Sequence, residues 1–313
     1  MSVNLRKCAV IGCGSVGSTV AYTLMNDNVF TELVLIDSND AKAQGEAMDI
    51  AQGTPFAGAV TVKAGTYSDL KDAGVIIITA GANQRPGETR LDLIGRNVSI
   101  FKSIIPSITE FNTEAILLVV ANPVDVLTTI ALKLSGFPAN RVFGSGTVLD
   151  TARLKHVLSE KLNVDSRNVH AFIIGEHGDS ELAVWSKTFV SGIQLEDYCQ
   201  QFGLNLDKNE VYLAVRNSAY EIISRKGVTN YAIGMAVSRI CRSIVDNENY
   251  IMPISSLIDG VYEGIEGVCI GLPAKVGQNG VSHPVKLELS AEELAEFKKS
   301  AATLAANLKQ VGF

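Results

Sequence analysis

Residues 8–17 read Cys-Ala-Val-Ile-Gly-Cys-Gly-Ser-Val-Gly and join an apolar run to a helical segment. The glycines have the spacing Gly12-Cys-Gly14-Ser-Val-Gly17. In a strand-to-helix turn, the first glycine allows a tight bend, the second lets the backbone approach a pyrophosphate, and the third lets the helix pack closely on the sheet. Free N–H groups at the helix start also favour an anion. The segment predicts a phosphate-binding loop, although a plain glycine-rich turn has the same spacing.

The second apolar run, Leu33-Val-Leu-Ile-Asp37, ends in a carboxylate 20 residues after Gly17. Such a carboxylate can bind both hydroxyls of a ribose, and it would repel the 2′-phosphate of NADP. Strand, loop, helix, strand and acid together predict a dinucleotide site that favours NAD. FAD proteins and methyltransferases with a nucleoside cofactor share parts of this pattern.

Apolar runs and helical segments alternate through the first half of the chain. The runs end near Ile11, Ile36, Val62, Ile78, Val120 and Phe143. Helical periodicity marks Ser15–Asn26, Leu91–Phe111 and Val124–Leu134. This alternation predicts an α/β fold, in which a Rossmann-type doubly wound parallel sheet is covered by helices on both faces.

The alternation of short apolar runs and helical segments ends at about residue 145. Longer helical stretches follow at Thr147–Leu162, Lys208–Lys226 and Asn230–Asn247. Met252–Val281 is rich in glycine and β-branched residues, which predicts antiparallel hairpins or a meander. A capping box at Ser290–Glu293 opens a last helix toward Gln310. We expect an NAD-binding Rossmann domain at 1–145 and an α+β substrate-binding, catalytic domain at 146–313, with a rigid interface.

The composition excludes several classes of protein. The chain has 313 residues, 47% of them hydrophobic, and a net charge of −6. No apolar run reaches the ~18–20 residues of a membrane span, and no basic block suggests nucleic-acid binding. Five scattered cysteines without a C-x-x-C pair indicate neither a disulfide framework nor a zinc site, so we expect no metal. The first residues lack the apolar segment of a signal peptide, and we expect a cytoplasmic protein.

One of the four histidines, His177, ends the apolar run Ile173-Ile-Gly-Glu-His177. Its ordinary pKa near ~6.5 suits proton transfer, although a structural histidine fits the local pattern equally well. Asp150 and Arg153 lie three residues apart and share a helix face. Asp150 would hold the imidazolium, and Arg153 would bind a substrate carboxylate through two hydrogen bonds. The alternative for this pair is a surface ion pair.

Two further segments follow predicted strands at the carboxyl edge of the sheet. Gly81–Arg90 is rich in glycine and proline, which favours a mobile lid over the ligand or, alternatively, a solvated loop. Asn122-Pro-Val-Asp125 faces the same crevice, and its alternative is a plain Asn-Pro turn.

Together these motifs resemble the NAD-dependent L-lactate dehydrogenase family of the lactate/malate dehydrogenase superfamily. The resemblance covers essentially the whole chain through Gly12–Gly17, Asp37, Gly81–Arg90, Asn122–Asp125, Asp150–Arg153, Gly175–Asp179 and Lys226–Thr229. It implies an enzyme of glycolysis and pyruvate fermentation, in which NADH reduces pyruvate to L-lactate.

The resemblance also implies a role for each motif residue. His177 would be the proton donor and acceptor, held by Asp150; Arg90 would polarise the substrate carbonyl, aided by Asn122; and Arg153 would bind the substrate carboxylate. Thr229 would line the same pocket. The implied cofactor contacts are Gly12, Gly14, Val16, Gly17, Asp37, Tyr67, Gly81, Ala82 and Asn122.

Substrate choice depends on Gln84, because malate dehydrogenases of this superfamily carry arginine at the matching place. A neutral glutamine leaves a second substrate carboxylate unpaired and so favours pyruvate over oxaloacetate. Glu88 also follows the lactate pattern. A shift of one residue would instead put Arg85 in the pocket, so malate dehydrogenase, or another 2-hydroxy acid dehydrogenase, is the alternative.

Regulation and assembly follow only from the resemblance, which implies a homotetramer. Many bacterial relatives bind fructose 1,6-bisphosphate through an arginine and a histidine, and here Lys155 and His170 stand at those places. A solvated lysine and a core histidine are an equally good interpretation. A non-catalytic, NAD-binding redox sensor is the alternative from outside the enzymes, but it has no use for the set Arg90, Asp150, Arg153 and His177.

Overall fold

A computed structural model describes residues 3–82 and 90–313 of the chain. Six parallel strands form the first part of its main sheet. They are β1 (Asn4–Ile11), β2 (Glu32–Ile36), β3 (Thr61–Ala64), β4 (Ala73–Ile78), β5 (Ile116–Val119) and β6 (Val142–Gly144). Their spatial order is β3-β2-β1-β4-β5-β6, which is the order of a dinucleotide-binding doubly wound sheet. The predicted Rossmann-type fold is confirmed.

Helices cover both faces of this sheet. Those of the described residues are α1 (Ser15–Asn26), α2 (Asp40–Gln52), α3 (Arg90–Thr109), α4 (Val124–Ser135), α5 (Val148–Leu162), α6 (Leu195–Gln201), α7 (Lys208–Lys226), α8 (Tyr231–Val245) and α9 (Ala291–Gln310). In β1, Cys8 and Val10 pack with α1, α2 and α8, whereas Ala9 and Ile11 pack with α3, α4 and α9. Alternate side chains of a strand point to opposite faces, so a strand buried on both sides is apolar throughout.

The second half of the chain contributes to the main sheet as well. Five short strands come first: β7 (Val169–His170), β8 (Ile173–Ile174), β9 (Leu182–Ala183), β10 (Phe189–Val190) and β11 (Ile193–Gln194). Then β12 (Tyr250–Leu257), β13 (Cys269–Gly277) and β14 (Gly280–Pro284) form the predicted antiparallel meander. Because β12 pairs with β6 through Ser255 and Gly144, the main sheet continues to nine strands.

A separate small core supports α5, the helix that carries Asp150 and Arg153. Leu154 and Leu158 of α5 are buried together with Val211 and Val215 of α7. The five short strands form two small sheets, β11-β10-β7 and β8-β9, and buried side chains of β7, β8, β9 and β10 belong to the same core. Thus α5 lies between the main sheet and the small sheets, where its first turn can meet a ligand.

The segment before His177 is attached directly to the main sheet. Gly175 and Gly271 of β13 exchange backbone hydrogen bonds of 2.9 and 3.0 Å. Gly175 has φ +94°, a value that favours glycine, and its left-handed backbone turns the chain out of β8 toward His177. Across residues 3–82 and 90–313, no helix is both long and apolar enough to cross a membrane.

Candidate active site

In the glycine loop after β1, two of the three glycines have a steric reason and the third leaves open space. Gly12 has φ +102°, and a Cβ atom there would lie 2.5 Å from the Ala80 backbone nitrogen. A Cβ atom on Gly17 would lie 1.8 Å from the Gly12 oxygen, whereas one on Gly14 would meet nothing within 4 Å. The first and third glycines therefore allow close packing, and the second leaves open space over the backbone for a ligand.

Helix α1 begins directly after this loop. No side chain caps its N-terminus at Gly14, so its first N–H groups point outward without a side-chain acceptor. Such groups, together with the helix dipole, attract a phosphate. Val16 is half-buried in the first turn of the helix. The loop thus fits the pyrophosphate of a dinucleotide.

Asp37 lies at the end of β2, beside the same loop. Its Oδ2 accepts a hydrogen bond of 2.6 Å from the Cys13 N–H, and its Oδ1 accepts one of 2.9 Å from the Asn39 N–H. These bonds fix the carboxylate next to the loop, while the side chain stays half-exposed. The position suits an acid that binds a ribose. Tyr67, another predicted cofactor contact, packs half-buried against the core.

A buried asparagine, Asn97 of α3, holds the next two segments together. Its Oδ1 accepts from the Ala82 N–H at 2.7 Å, and its Nδ2 donates to the Asn122 oxygen at 2.7 Å. It thereby joins the ends of β4 and β5, next to Gly81. Sequence reasoning missed Asn97, although a polar residue on the apolar face of a predicted helix was a signal.

The proposed proton donor and its partners are in direct contact. His177 Nδ1 lies 2.5 Å from Asp150 Oδ2, and Arg153 Nη1 donates to Asp150 Oδ1 at 2.7 Å. Burial alone would raise the pKa of the Asp150 carboxyl, but the charges and hydrogen bonds of His177 and Arg153 outweigh it and hold that pKa below its ordinary value. Asp150 therefore stays ionised and fixes the imidazole ring.

The same charges act on His177. Burial alone would lower the pKa of the imidazole, but the charge and hydrogen bond of Asp150, followed by the charges of Asp125 and Glu181, raise it to about 9. At neutral pH His177 is thus protonated, as a proton donor for carbonyl reduction must be.

Two of these acids were given no role by sequence reasoning. Asp125 is buried, and its Oδ2 accepts a 2.8 Å hydrogen bond from the backbone N–H of His177. Glu181 is also buried, and burial together with the charge of Asp150 raises the pKa of its carboxyl to about 8. A close-packed group of buried acids around one histidine is invisible in the sequence, because its members come from separate elements.

A cavity of about 390 Å³ at the carboxyl edge of the sheet contains four predicted residues in its wall: Asn122, Asp150, Arg153 and His177. Helix α7 completes this wall with Arg216, Ala219 and Ile223, which sequence reasoning missed. Thr229, which follows α7, is not among the described residues that line it. Gln84, Arg85, Glu88 and the side chain of Arg90 lie outside the described residues.

Asp150, His177 and Glu181 offer atoms within 4.8 Å of one another, close enough to share a metal ion. However, the ring nitrogen and one carboxylate oxygen already bind each other, and Arg153 binds the second oxygen. The guanidinium also places a positive charge beside the three groups, which would repel a cation. The arrangement therefore suits proton transfer better than metal binding.

Lys155 and His170 lie away from this cavity, on α5 and β7. Lys155 is half-buried, and burial lowers the pKa of its ammonium group. Within the described parts of the chain, Lys155 forms no ion pair. His170 is exposed.

Comparison with known families agrees with this geometry. Residues 6–144 match the family model "lactate/malate dehydrogenase, NAD binding domain", and residues 147–312 match "lactate/malate dehydrogenase, alpha/beta C-terminal domain". The chain belongs to the lactate/malate dehydrogenase family. Its cofactor is NAD, as the glycine loop and Asp37 predicted.

Individual relatives point to one branch of the family. The chain is 50% identical to the L-lactate dehydrogenase of Acetivibrio thermocellus, over 96% of this chain and 95% of that one. It is also 50% identical to an L-lactate dehydrogenase of Clostridium botulinum, with the same coverage. A solved lactate dehydrogenase from a Medee basin deep-sea metagenome library superposes with a TM-score of 0.95, at 46% identity over 100% of both chains.

A second solved structure, the minor L-lactate dehydrogenase of Enterococcus mundtii, gives a TM-score of 0.94 at 42% identity and covers 98% of each chain. The predicted family and the prediction of an NAD-dependent oxidoreductase are confirmed. The alternatives of a methyltransferase, a redox sensor or a malate dehydrogenase are not favoured.

Proposed function

We propose that the chain is an L-lactate dehydrogenase, which reduces pyruvate to L-lactate and catalyses the reverse reaction. One observation carries this proposal. Asp150 binds His177 and Arg153 at the same time, in the wall of a cavity at the carboxyl edge of a dinucleotide-binding sheet. A proton donor and a carboxylate-binding cation are thereby held in one fixed geometry, as reduction of a small 2-oxo acid requires.

The cofactor would lie along the edge of the sheet. Gly12, Gly14, Val16 and Gly17 would hold its pyrophosphate, and Asp37 would bind the adenosine ribose. The bound nicotinamide supplies the hydride. On the same edge, Tyr67, Gly81, Ala82 and Asn122 would complete the contacts, because Asn97 joins Ala82 to Asn122.

Two arginines would orient the substrate, one at its carboxylate and one at its carbonyl oxygen. Arg153 uses Nη1 to bind Asp150 and has further N–H groups for the substrate carboxylate. Arg90 and Asn122 would bind the carbonyl oxygen, with Thr229 beside the carboxylate. Gln84 would face the methyl group of pyruvate, where a second carboxylate would be left unpaired.

The proton would come from the second ring nitrogen of His177. Because Asp150 occupies Nδ1, the proton on Nε2 is the one available to the carbonyl oxygen. Asp150 stabilises the imidazolium before transfer and fixes the tautomer afterwards. In lactate oxidation the neutral ring would accept the same proton.

The test compares NADH oxidation by the purified protein with pyruvate and with oxaloacetate. We expect a strong preference for pyruvate, and Gln84→Arg should move that preference toward oxaloacetate. His177→Asn should lose turnover and still bind NADH. A wild-type preference for oxaloacetate would assign Arg85 to the pocket, and an unaffected rate in His177→Asn would remove this residue from the mechanism.

We also propose that residues 1–145 form the NAD-binding unit and residues 146–313 the substrate-binding, catalytic unit of a cytoplasmic homotetramer. Exposed apolar side chains support an assembly: Phe56 is 93% exposed, and Tyr231 is 72% exposed beside Met235 and Tyr22. Light scattering would measure the mass in solution, and a monomer would contradict the proposal.

Fructose 1,6-bisphosphate is our proposed activator, with Lys155 and His170 as its contacts. The half-buried Lys155 has no carboxylate partner among the described residues, which supports an anion site, although lysine lacks the bidentate fork of arginine. Pyruvate saturation curves with and without the sugar phosphate test this site. Activation that persists in Lys155→Ala would contradict it.

A further inference from the structure

Asp125 is a buried acid that the proposed mechanism leaves without a role. It lies in the first turn of α4, three residues after Asn122, and only 1% of its surface is exposed. Its Oδ2 accepts the backbone N–H of His177 at 2.8 Å, across 52 positions of sequence. One hydrogen bond therefore connects the segment that carries the proton donor to the helix that follows the substrate-binding asparagine.

The second oxygen of this carboxyl makes the arrangement costly. Oδ1 is buried, and within the described part of the chain the group that faces it is the buried Ser255 hydroxyl, which lowers the pKa of the carboxyl but makes no hydrogen bond of ordinary geometry. A buried carboxylate with one unsatisfied oxygen lowers stability unless another interaction compensates for it. The start of α4 offers partial compensation, because the helix dipole favours a negative charge there.

The imidazolium of His177 adds to this compensation, after the Ser255 hydroxyl and the His177 backbone N–H. The other charged groups that face this histidine are Asp150 of α5 and Glu181, while Arg153 faces Asp150. Asp125 itself is faced by the His177 ring, which attracts it, and by the neighbouring Glu176, which repels it. Its charge also acts on the buried thiol of Cys269. Within this group, the imidazolium is the cation that acts on Asp125.

We propose that Asp125 is a positioning residue for His177, with two separable effects. Its Oδ2 fixes the backbone of His177 against α4, and its negative charge supplements that of Asp150 in stabilising the protonated ring. The inference rests on the proposed function, since it assigns Asp125 a part in the same proton transfer.

Both effects operate at neutral pH. Burial raises the pKa of the Asp125 carboxyl to about 6. The carboxyl is therefore mostly ionised at pH 7, and it becomes mostly neutral only when the pH falls below its pKa. His177 remains protonated up to about pH 9. Between these two values the carboxylate and the imidazolium coexist, which is the range in which the residue can support catalysis.

Two substitutions separate the effects. Asp125→Asn keeps an oxygen that accepts the His177 N–H but removes the charge, whereas Asp125→Ala removes both. Asp165→Asn is a matched control, because Asp165 also accepts a backbone N–H, from Arg167 at 2.8 Å, but lies on the surface away from the site. The measurement is kcat and KM for pyruvate with saturating NADH, from pH 6 to pH 10.

We expect Asp125→Asn to move the alkaline limb of kcat to lower pH by about one unit, with kcat at pH 6.5 reduced by no more than about threefold. Asp125→Ala should show the same displacement and a further loss in kcat of about tenfold, because the His177 backbone is no longer fixed. The control should have the wild-type profile, and thermal unfolding and NADH titration verify that each variant folds.

The electrostatic effect and the backbone effect of Asp125 can each be refuted separately. An unmoved alkaline limb in Asp125→Asn would overturn the electrostatic effect, and equal kcat in the Asn and Ala variants would overturn the backbone effect. Should Asp125→Ala fail to fold, hydrogen exchange of the His177 amide in the wild type decides the backbone effect, since rapid exchange would refute it. A wild-type protein that does not turn over pyruvate would refute the proposed function instead.

Discussion

The glycine loop (Gly12–Gly17) and the histidine relay, which consists of His177, Asp150 and Arg153, lie at the same edge of the sheet but would bind their ligands by opposite means. Around Gly12 and Gly17, the proposed recognition depends on the absence of side chains, because backbone atoms approach one another where a Cβ would collide. Around His177, it depends on side-chain charges that are buried together, with Asp150 at 2.5 Å. The loop should thus be sensitive to added volume and the relay to removed charge.

The largest effect should follow from the loss of charge in the relay. Asp150→Asn has almost the same shape but no charge, so the imidazolium loses its main partner and the ring its fixed tautomer. We expect kcat for pyruvate to fall by about 1,000-fold, while NADH affinity is retained.

The pH profile provides the second measurement for this variant. Wild-type pyruvate reduction should decline as pH rises through about 9, where His177 loses its proton. Without the Asp150 charge, the decline should begin at lower pH. If Asp150→Asn has the wild-type pH profile, the charge of Asp150 does not set the pKa of His177, and the proposed contrast between the relay and the loop is wrong.

Added volume in the loop should have the next largest effect. In Gly17→Ala, the new methyl group would lie 1.8 Å from the Gly12 oxygen, so the loop must move. We expect the Kd for NADH, measured by fluorescence titration, to rise about 100-fold, with the alkaline limb of residual activity unchanged. Gly45→Ala is the control, since a Cβ atom there meets nothing within 4 Å and α2 gains a better helix former.

A smaller effect is expected where the two regions meet. Asn97→Ala removes the link between Ala82 and Asn122, and we expect KM for NADH and for pyruvate to rise together by about tenfold. Asn112 is the matched control, because its buried Nδ2 similarly binds Leu70 and Ala73 oxygens, but at the amino end of β4.

Asn112→Ala should therefore lower the melting temperature without a change in KM. If it raises KM as much as Asn97→Ala does, then both asparagines act through general stability, and Asn97 does not couple the loop to the relay.

The smallest effect should come from a position outside both regions. Ser290 and Glu293 form the capping box of α9, with a Glu293 N–H to Ser290 Oγ distance of 3.2 Å. Ser290→Ala should lower the free energy of unfolding by about 1 kcal/mol, measured in urea, and leave kcat and KM unchanged. If kcat changes in Ser290→Ala, then the stability of α9 affects catalysis, although this helix end lies outside the relay.

The sequence predicted some elements to the residue and missed others, for physical reasons. The predicted bounds of α1 and α7 are those of the structure, because local signals mark their ends, as Asp207 and Gly227 do for α7. Helix α2 was not predicted. It buries only Ala43, Ala47 and Ile50, so its sequence shows a weak apolar period. The strands β7 to β11 have two residues each, too few to show a period of two, and among them only β8 was predicted, as the apolar strand before His177.

In the candidate site, too, some residues could be predicted from the sequence and others could not. Local motifs marked Asp150, Arg153 and His177, and the structure brings them into contact. The effect of Asp125 on His177 could not be predicted, because a hydrogen bond across 52 positions is a property of the folded chain.

The pairing of β12 with β6 has a consequence for any attempt to divide this protein. A fragment that ends after Gly144 would present the open edge of β6, where Ser255 is now its partner, and would expose the apolar surface of α4 that α9 covers. Unpaired strand edges recruit other chains, so we expect this piece alone to aggregate. Co-expressed with the remainder, it should instead recover solubility through complementation, since the missing strands would complete its sheet.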